Sequence, residues 1–549
     1  MSLPVEPSKK IRTGAGAHIG RRTFLWLVGA GAATAATAGT AFWFRERREP
    51  PVLAGAIKPA SLATGSSADQ NVVIALTASP ATVPLYAGNP TQVWKYTGKV
   101  LQGDPGSLQE VPGSYLGPTL RLHKGQKVRI ELTNGLPEET IIHWHGLLLP
   151  AGMDGHPRDV IAPGERFVYE FEVANRAGTY WYHPHPDGQT GSQVNQGLAG
   201  FLLVSDEEEA SLGLPTGEQD VPLVLQDRRV DGDNQFTYIV RGMMDHGGGF
   251  LGDHILVNGQ PEFVLNVATR AYRLRLLNGS NSRIYKLAWS NGVPLTVIGT
   301  DGGLLGAPVT RDYVMLAPGE RIELLADFSS YPLNTKLELR SLEFSGSSGG
   351  EMGGMGAEQQ GLPDGIPFSV LTVQVARKEN GAFVVPKNLA AVAIPRVQDA
   401  VNAAAPRQFT LTRGHGKWLI NERSFGLNEV ADDETVAVGA LETWEFINDA
   451  GSGGMGGRGM MGSMPHPMHI HGVQFRVIGR EVTPESTSQW QTVGSGFVDE
   501  GWKDTVLVMP GETVKLLLRF EKYPGVFVYH CHNLEHEDMG MMRNYRIRA

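Results

Sequence analysis

The chain has 549 residues, a length that predicts about three domains rather than one. Apolar residues make up 41% and charged residues 19%, which excludes wholesale disorder, while 69 Gly and 34 Pro favour a turn-rich, β-rich protein. The formal net charge of −9 repels phosphate backbones, so we predict no nucleic-acid partner. The single cysteine, Cys531, excludes a disulfide within the chain.

The first 56 residues have the pattern of an export signal. Basic residues precede the twin arginines Arg21 and Arg22, and an apolar run then extends to Phe44. This arrangement is typical of a Tat signal, which directs folded proteins across a membrane. We therefore predict a periplasmic or other extracytoplasmic protein that uses the Tat export machinery. Cleavage would follow Ala54-Gly-Ala56, whereas an uncleaved signal would remain as a membrane anchor, because the run is long enough to span. Residues 57–69 are predicted to be a tether.

One phrase occurs three times in the remainder of the chain. Residues 161–171, 316–328 and 508–520 each begin with a Pro-Gly-Glu turn and continue as an alternating apolar and polar strand. A second phrase occurs at 124–135 and 272–279, with a weaker copy at 443–448. We therefore predict an all-β fold of three related Greek-key β-sandwich domains. The predicted domains are 70–205, 219–378 and 406–549, with a linker at 379–405.

Ten of the sixteen histidines fall into five short motifs in the first and third predicted domains. Histidines scattered through a core or a surface would not pair in this way, and imidazole is a common ligand of copper, zinc and iron. The motifs are His143-Trp-His145, His183-Pro-His185, His466-Pro-Met-His469-Ile-His471, His530-Cys-His532 and His536.

Strand geometry divides these side chains into two groups. Residues i and i+2 of a strand face the same side, so His530 and His532 point away from Cys531. The four His-x-His pairs together supply eight imidazoles, enough for three metal ions. His466 and Cys531 lie on the reverse side, where His536 completes a set of two imidazoles and one thiolate. That set predicts a trigonal site of the blue-copper kind.

A weak axial thioether and a short electron route complete this interpretation. Met541 follows His536 by five residues and can supply the thioether, with Met539 as the local competitor. Because Cys531 is joined through the backbone to two histidines of the other group, an electron on the sulfur-bound metal has a short path to the imidazoles. A structural zinc site favours four closed ligands, often several of them cysteines, and does not account for this pattern.

The motifs resemble those of the multicopper oxidases, the family of laccases and bacterial copper efflux oxidases, from about residue 70 to the C-terminus. The resemblance implies cupredoxin domains and four copper ions: one type 1, one type 2 and a type 3 pair. It implies a type 1 copper that accepts single electrons from a reductant, and a three-copper cluster that reduces O2 to water with four. It assigns His466, Cys531, His536 and Met541 to type 1 copper, His143 and His469 to type 2, and His145, His183, His185, His471, His530 and His532 to the type 3 pair.

Two carboxylates are candidates for supplying the protons that O2 reduction needs. Asp154 follows the first His-x-His pair, and Glu537 directly follows His536. In similar proteins, acidic residues at matching places are thought to relay protons to the cluster. The alternative is that each is an ordinary solvated carboxylate; we favour the relay.

The methionines bear on the identity of the reductant. Two Met- and Gly-rich stretches, 349–356 and 453–464, supply soft thioethers that suit Cu(I), which slightly favours a cuprous oxidase in copper homeostasis. Gly462 departs from the copper efflux oxidases, which carry an acidic residue there. The alternative is that both stretches are simply flexible loops in which methionine fills space. The candidate Cu(I) ligands are Met352, Met355, Met460, Met461 and Met464.

Three alternatives remain beside the cuprous oxidase. A laccase-type enzyme would oxidise phenols and aromatic amines. A non-catalytic cupredoxin scaffold would lack the copper ligands, all twelve of which are present here. An electron carrier with only a blue site would not need four His-x-His pairs.

Overall fold

The structure is a computed structural model that describes residues 71–239, 242–346, 362–381, 383–414, 416–449 and 464–549. The predicted signal and tether lie outside these ranges, as do Met352, Met355, Met460 and Met461 of the candidate Cu(I) ligands. The described chain is mostly β-strand and forms three cupredoxin-like β-sandwiches, so the predicted all-β fold is confirmed. The exact domain boundaries remain a prediction.

The first sandwich packs a four-stranded sheet against a five-stranded one. The sheet orders are β2-β1-β5-β7 and β3-β4-β9-β8-β6. Buried residues alternate along β5, where Val128, Ile130 and Leu132 enter the core. The strands are β1 Val72–Val83, β2 Thr91–Gln102, β3 Leu108–Gln109, β4 Thr119–His123, β5 Lys127–Asn134, β6 Ile142–His145, β7 Arg166–Glu172, β8 Gly178–Pro184 and β9 Gly200–Ser205.

The second sandwich is built in the same way from a larger set of strands. One sheet has the order β13-β12-β10-β15-β20-β17-β18, with β11 paired to β10, and the other has the order β14-β22-β21-β16-β19. The strands are β10 Asp220–Val230, β11 Phe236–Thr237, β12 His254–Val257, β13 Gln260–Pro261, β14 Val264–Ala268, β15 Ala271–Asn278, β16 Tyr285–Trp289, β17 Leu295–Thr300, β18 Gly303–Arg311, β19 Val314–Leu316, β20 Arg321–Asp327, β21 Lys336–Ser341 and β22 Phe368–Arg377.

The third sandwich carries two five-stranded sheets. Their orders are β24-β23-β26-β30-β28 and β25-β32-β31-β27-β29. The strands are β23 Arg407–Gly414, β24 Lys417–Ile420, β25 Thr435–Ala437, β26 Leu441–Asn448, β27 His466–Ile470, β28 Phe475–Val482, β29 Thr505–Val508, β30 Glu512–Arg519, β31 Gly525–Cys531 and β32 Met542–Arg548.

Helices are short and lie between strands. Within the described ranges, none is long and apolar enough to cross a membrane. The α-helices are α1 Thr190–Gln196, α2 Glu207–Ala210, α3 Met243–Gly248, α4 Thr487–Trp490 and α5 Leu534–Asp538. The 3-10 turns are Pro105–Ser107, Ala151–Met153, Pro157–Asp159, Gly217–Gln219, Val397–Asp399, Asp432–Glu434, Pro484–Ser486 and Gly494–Gly496.

The repeated phrases occupy equivalent places in the three sandwiches. The strand after each Pro-Gly-Glu turn (β7, β20 and β30) pairs antiparallel with the strand of the second phrase (β5, β15 and β26). An asparagine ends each of these partner strands, and its side-chain amide donates to the carbonyl just before the turn. The pairs are Asn134 with Ile161 at 3.0 Å, Asn278 with Leu316 at 2.9 Å and Asn448 with Val508 at 3.1 Å. The same hydrogen bond therefore anchors the turn three times.

Candidate metal centres

Two strand pairs position the histidines of the His-x-His motifs. In the first sandwich β6 pairs with β8, so His143 stands opposite His183. In the third sandwich β27 pairs with β31, so His469 stands opposite His530. Side chains two residues apart face the same side, and the two strand pairs therefore present their imidazoles toward each other across the junction of the sandwiches.

These imidazoles form one buried cluster, here called the imidazole pocket. Its members are His143, His145, His183, His185, His469, His471, His530 and His532, each at most 1% exposed. Nitrogens of neighbouring rings approach closely at several points. The separations are 3.4 Å for His143 Nε2 to His469 Nε2, 3.4 Å for His145 Nδ1 to His183 Nε2, 3.1 Å for His471 Nε2 to His530 Nε2, and 3.4 Å for His185 Nε2 to His530 Nε2.

The pocket has the chemistry of a metal site. Burial lowers the pKa of His469 to about 3 and that of His185 to about 4, so these rings are neutral at pH 7 and offer lone pairs. Neither ring nitrogen of buried His532 has a hydrogen-bond partner. Two imidazole nitrogens bound to one ion at about 2 Å would be roughly 3.3 Å apart, close to the separations found here. The residues therefore fit a metal cluster.

Hydrogen bonds to the outer nitrogens orient the rings. His143 Nδ1 donates to the backbone carbonyl of Asp154 and His469 Nδ1 to that of Asp504, each at 2.7 Å. His471 Nδ1 donates to the Asp154 carboxylate, also at 2.7 Å. In each case the bond leaves Nε2 directed into the pocket, and such contacts fix both the tautomer and the angle of a ligand ring.

A second group, here called the sulfur site, lies on the other side of β31. Cys531 Sγ is 3.5 Å from His466 Nδ1 and 3.6 Å from His536 Nδ1, and those two nitrogens are 3.2 Å apart. His466 begins β27, Cys531 ends β31 and His536 lies on α5. Burial raises the pKa of the Cys531 thiol well above its usual value, so a bound cation would have to displace its proton.

Met541 is tied to the sulfur site through its backbone. Its carbonyl accepts the Cys531 N–H at 3.0 Å, and its own N–H donates to the carbonyl of His536 at 2.9 Å. The side chain is fully buried in the core of the third sandwich, whereas Met539 is only partly buried against that core. This placement favours Met541 over its competitor.

One tryptophan covers the sulfur site. Trp418 on β24 lies 4.4 Å from the ring of His536 and 4.9 Å from that of His466, measured between ring centroids. Its indole is buried, and the guanidinium of Arg413 lies 5.3 Å from the indole ring. The imidazole rings of this site therefore pack against an aromatic wall rather than against water.

Asp154 and Glu537 are both buried at the imidazole pocket, so the alternative of solvated carboxylates is wrong for both. Burial raises the pKa of Asp154 to about 8. Burial alone would also raise the pKa of Glu537, but the imidazoles of His530 and His185 lower it to about 2. Its Oε2 lies 3.0 Å from His530 Nδ1, and its Oε1 lies 3.6 Å from His185 Nε2.

Sequence reasoning missed three residues that contact these sites. Asp504 accepts a hydrogen bond from His145 Nε2 at 3.0 Å, and Arg321 holds the Asp504 carboxylate. Trp418 is the third. None lies in a histidine motif, and each reaches its site through long-range packing that no local pattern reports.

Of the five methionines predicted to bind Cu(I), the structure describes only Met464. Its side chain is 7% exposed and lies in the apolar core of the third sandwich. This burial argues against Met464 as a surface ligand. Within the described part of the chain, every group of His, Cys, Asp and Glu side chains close enough to share a metal ion belongs to the first and third sandwiches.

Comparisons with known proteins agree with this geometry. Two multicopper oxidase family models match residues 92–209 and 400–549. A laccase from Bacillus stratosphericus is 32% identical over 83% of this chain and 90% of its own length. The crystal structure of the McoA multicopper oxidase from the hyperthermophile Aquifex aeolicus, also 32% identical, superposes with a TM-score of 0.71 over 87% of this chain and 97% of that one.

One relative carries a different kind of name. The cell division protein FtsP of Xenorhabdus nematophila is 33% identical over 83% of this chain and 88% of its own length. Three cupredoxin-like sandwiches with an imidazole pocket at their junction define a copper-dependent oxidase. The chain belongs to the multicopper oxidase family and is an oxidoreductase that uses copper.

Proposed function

We propose that this enzyme takes electrons singly from a reductant at the sulfur site and delivers them to the imidazole pocket, where O2 is reduced to water. One observation carries the proposal: Cys531 belongs to the sulfur site while its neighbours in sequence, His530 and His532, belong to the pocket. The two sites are thus joined by a few covalent bonds. A purely structural metal site would have no use for such a connection.

The proposed cofactor is a set of four copper ions. When bound, copper supplies one-electron redox chemistry, and four ions hold the four electrons that O2 requires. We assign the type 1 ion to His466, Cys531, His536 and Met541, the type 2 ion to His143 and His469, and the type 3 pair to His145, His183 and His532 together with His185, His471 and His530. The last trio is supported by nitrogens that all lie within 4.8 Å of one another.

Protons are supplied by Asp154 and Glu537. The Asp154 carboxylate meets His471 Nδ1 at 2.7 Å, and Glu537 Oε2 meets His530 Nδ1 at 3.0 Å. Asp154, whose pKa is raised to about 8, can therefore hold a proton one imidazole away from the centre of the pocket, and the ionised carboxylate of Glu537 can accept a proton and pass it on at His530. The burial of the pocket keeps bulk water out, so protons must enter through groups such as these.

We propose Cu(I) as the reductant, which makes the enzyme a cuprous oxidase that serves copper homeostasis. The support comes from the sequence: the Met- and Gly-rich stretch 453–464 runs directly into His466, and thioethers suit Cu(I). Since Met464 is buried, the proposed ligands are Met352, Met355, Met460 and Met461.

A small phenol or aromatic amine is the second candidate reductant. The observation that favours it is the similarity, at 32% identity, to a protein named laccase. The two candidates differ in where the reductant binds, since a phenol needs contact near the rings of the sulfur site while Cu(I) needs sulfur ligands.

Oxygen uptake separates the two reductants. The copper-loaded enzyme should consume O2 faster with Cu(I) than with a simple phenol, and replacing Met460 and Met461 together by Leu should slow only the Cu(I) reaction. Met509→Leu, a buried methionine elsewhere in the third sandwich, is the matched control. Strong phenol turnover together with Cu(I) oxidation that the double substitution leaves intact would establish the second candidate.

We further propose export by the Tat machinery to an extracytoplasmic location. The support is the twin-arginine pattern at Arg21 and Arg22 before an apolar run. Replacing both arginines by lysine should retain the protein inside the cell, and mass measurement of the exported chain should show whether cleavage follows Ala56. Unimpaired export of the double-lysine variant would contradict the Tat assignment.

Metal content tests the alternative of a non-catalytic scaffold, which the similarity to a cell division protein supports. We expect four copper ions per chain after full reconstitution and an intense blue colour from the thiolate ligand. One ion or fewer per chain, or no blue colour, would leave the scaffold as the better interpretation.

A further inference from the structure

The second sandwich provides none of the proposed copper ligands, yet one of its turns touches the imidazole pocket. This turn is the middle copy of the repeated Pro-Gly-Glu phrase, residues 317–321, here called the middle turn. A Cβ atom added at Gly319 would lie 3.0 Å from Cδ2 of His532 and 3.2 Å from Cε1 of His145. The backbone of the middle turn is therefore a wall of the pocket, and a side chain at this point would have to displace the rings of His532 and His145.

The other two copies of the turn have different surroundings. Gly164 in the first sandwich has nearly the same backbone conformation as Gly319, with φ of +84° against +83°, but a Cβ there would meet nothing within 4 Å. Gly511 in the third sandwich packs against Ser486 rather than against a histidine. Of the three copies, only the middle turn faces the pocket.

Arg321, the last residue of the middle turn, is fully buried and all five of its N–H groups are used. Two of them meet the two carboxylate oxygens of Asp504, from Nη1 at 2.7 Å and from Nη2 at 2.5 Å. The other three donate to backbone carbonyls of Thr179, Gly319 and Asp301. Carbonyls of the first and second sandwiches thus fix the guanidinium, and the guanidinium fixes a carboxylate of the third.

Asp504 in turn controls two histidines of the pocket. Its Oδ1 accepts the Nε2–H of His145 at 3.0 Å, which leaves Nδ1 of that ring facing His183. Its backbone carbonyl accepts the Nδ1–H of His469 at 2.7 Å, which leaves Nε2 facing His143. One residue therefore determines which nitrogen each of two rings presents.

Arg321 also limits what Asp504 can do. A carboxylate oxygen of Asp504 lies within 4.8 Å of ring nitrogens of both His145 and His469, so the three could themselves hold a metal ion. Because the guanidinium engages both oxygens, Asp504 is held as a hydrogen-bond acceptor rather than as a ligand. An unpaired buried carboxylate in that place would be free to turn toward a cation.

We propose that the middle turn is a positioning element of the copper cluster, in which Arg321 acts through Asp504 on His145 and His469, and Gly319 forms the wall beside His532. The inference rests on the proposed metal-binding role of the pocket. It assigns to the second sandwich a direct part in cluster geometry.

A comparison of equivalent glycines tests the wall. Gly319→Ala and Gly164→Ala introduce the same methyl group at nearly the same φ, so backbone strain affects both alike. We expect Gly319→Ala to lose pocket copper at least tenfold more readily to a chelator, with its blue colour retained, and Gly164→Ala to match the wild type. Equal copper retention by the two variants would overturn the role of Gly319.

A pair of buried arginines tests the positioning role. Arg321→Met removes the guanidinium at the pocket, whereas Arg283→Met removes an equally buried guanidinium that pairs with Asp227 inside the second sandwich. Both should lower the thermal stability of the copper-free protein. Only Arg321→Met should change the hyperfine splitting of the type 2 electron paramagnetic resonance signal and weaken copper retention about 10- to 100-fold.

The outcomes separate this inference from the proposed function. An unchanged type 2 signal in Arg321→Met, or an equal change in Arg283→Met, would show that Arg321 only cross-links the sandwiches, and the positioning role would fall while the oxidase assignment stood. A wild-type protein that binds no copper in the pocket would overturn both.

Discussion

The imidazole pocket and the sulfur site lie on opposite faces of one strand, β31, but different parts of the protein surround them. The pocket joins the first and third sandwiches and is bordered by the middle turn of the second. Asp154 and Asp504 contact its rings, and Arg321 holds Asp504. The sulfur site takes its side chains from the third sandwich, under the indole of Trp418, and His536 also hydrogen-bonds to the backbone of Gly247 in the second. Burial lowers the pKa of His466 to about 3, whereas neighbouring imidazoles add to the effect of burial in lowering the pKa of His143.

The difference indicates what each site depends on. All side chains of the sulfur site come from one sandwich, so its geometry depends mainly on the apolar packing of that sandwich, with support from the second sandwich where Gly247 meets His536. A site at a junction needs the sandwiches to dock in register, and its charged groups must all be paired because they are buried. Substitutions at the sulfur site should therefore act on colour and electron entry, and those at the pocket on copper retention and O2 chemistry.

The largest expected effect comes from Cys531→Ser. Removal of the thiolate should abolish the blue colour and lower turnover on the order of 10³-fold or more, because the sulfur is the ligand through which the sulfur site is joined to His530 and His532. The pocket should keep its copper, since its eight imidazoles are unchanged. Copper content, the visible spectrum and O2 uptake measure the pocket copper, the blue colour and the turnover, respectively. Loss of pocket copper in this variant would contradict the independence of the two sites.

Glu537→Gln should act on the pocket alone. The amide cannot relay a proton to His530, so we expect O2 reduction to slow by about 10²- to 10⁴-fold while the blue colour remains. Stopped-flow reoxidation of the reduced enzyme measures the step directly. Glu535→Gln is the matched control, because Glu535 lies on the same helix and is equally buried but accepts from Tyr238 and Phe250 instead. Equal slowing in both variants would contradict the relay.

The repeats and the histidine groups could be predicted because their signals are local. A Pro-Gly-Glu turn specifies its own hydrogen bonds, and strand alternation separates Cys531 from His530 whatever the rest of the chain does. The three-sandwich fold follows from the same turns. The spacing of the residues alone therefore predicts which side chains lie together in the pocket and which lie together in the sulfur site.

The remaining contacts could not be predicted because they depend on docking. Arg321 and Arg166 occupy the same place in their repeats, yet the first is buried against Asp504 while the second is exposed. Asp504 reaches the pocket because β29 pairs with β27, which sets Thr505 opposite His469. Nothing in the sequence around these residues distinguishes them, since the difference arises only when the sandwiches meet.

Trp418→Ala tests the dryness of the sulfur site. Loss of the indole that packs on His466 and His536 should lower the free energy of unfolding by about 3 kcal/mol and let water reach the rings. We expect a shifted blue band and an altered type 1 reduction potential, with pocket copper unchanged. Trp289→Ala, a large indole in the core of the second sandwich, is the control for stability. A blue band that responds equally to both substitutions would contradict the specific role of Trp418.

The smallest effect concerns the contact between the first and third sandwiches beside the pocket. His156 Nε2 donates to Asn544 Oδ1 at 2.8 Å, and burial lowers the pKa of His156 to about 4, below the value near 6.5 of an unfolded chain. Between pH values of about 6.5 and 4, His156 binds a proton in the unfolded state but not in the folded state. The free energy of unfolding therefore falls as the pH falls through this range. From pH 7.5 to 5.5 this one group should cost about 1 kcal/mol. In His156→Gln, urea unfolding of the copper-free protein should therefore show a drop smaller by that amount, while exposed His246→Gln should behave as the wild type. If the free energy of unfolding depends on pH identically in the wild type, His156→Gln and His246→Gln, protonation of His156 is not linked to the contact between the first and third sandwiches.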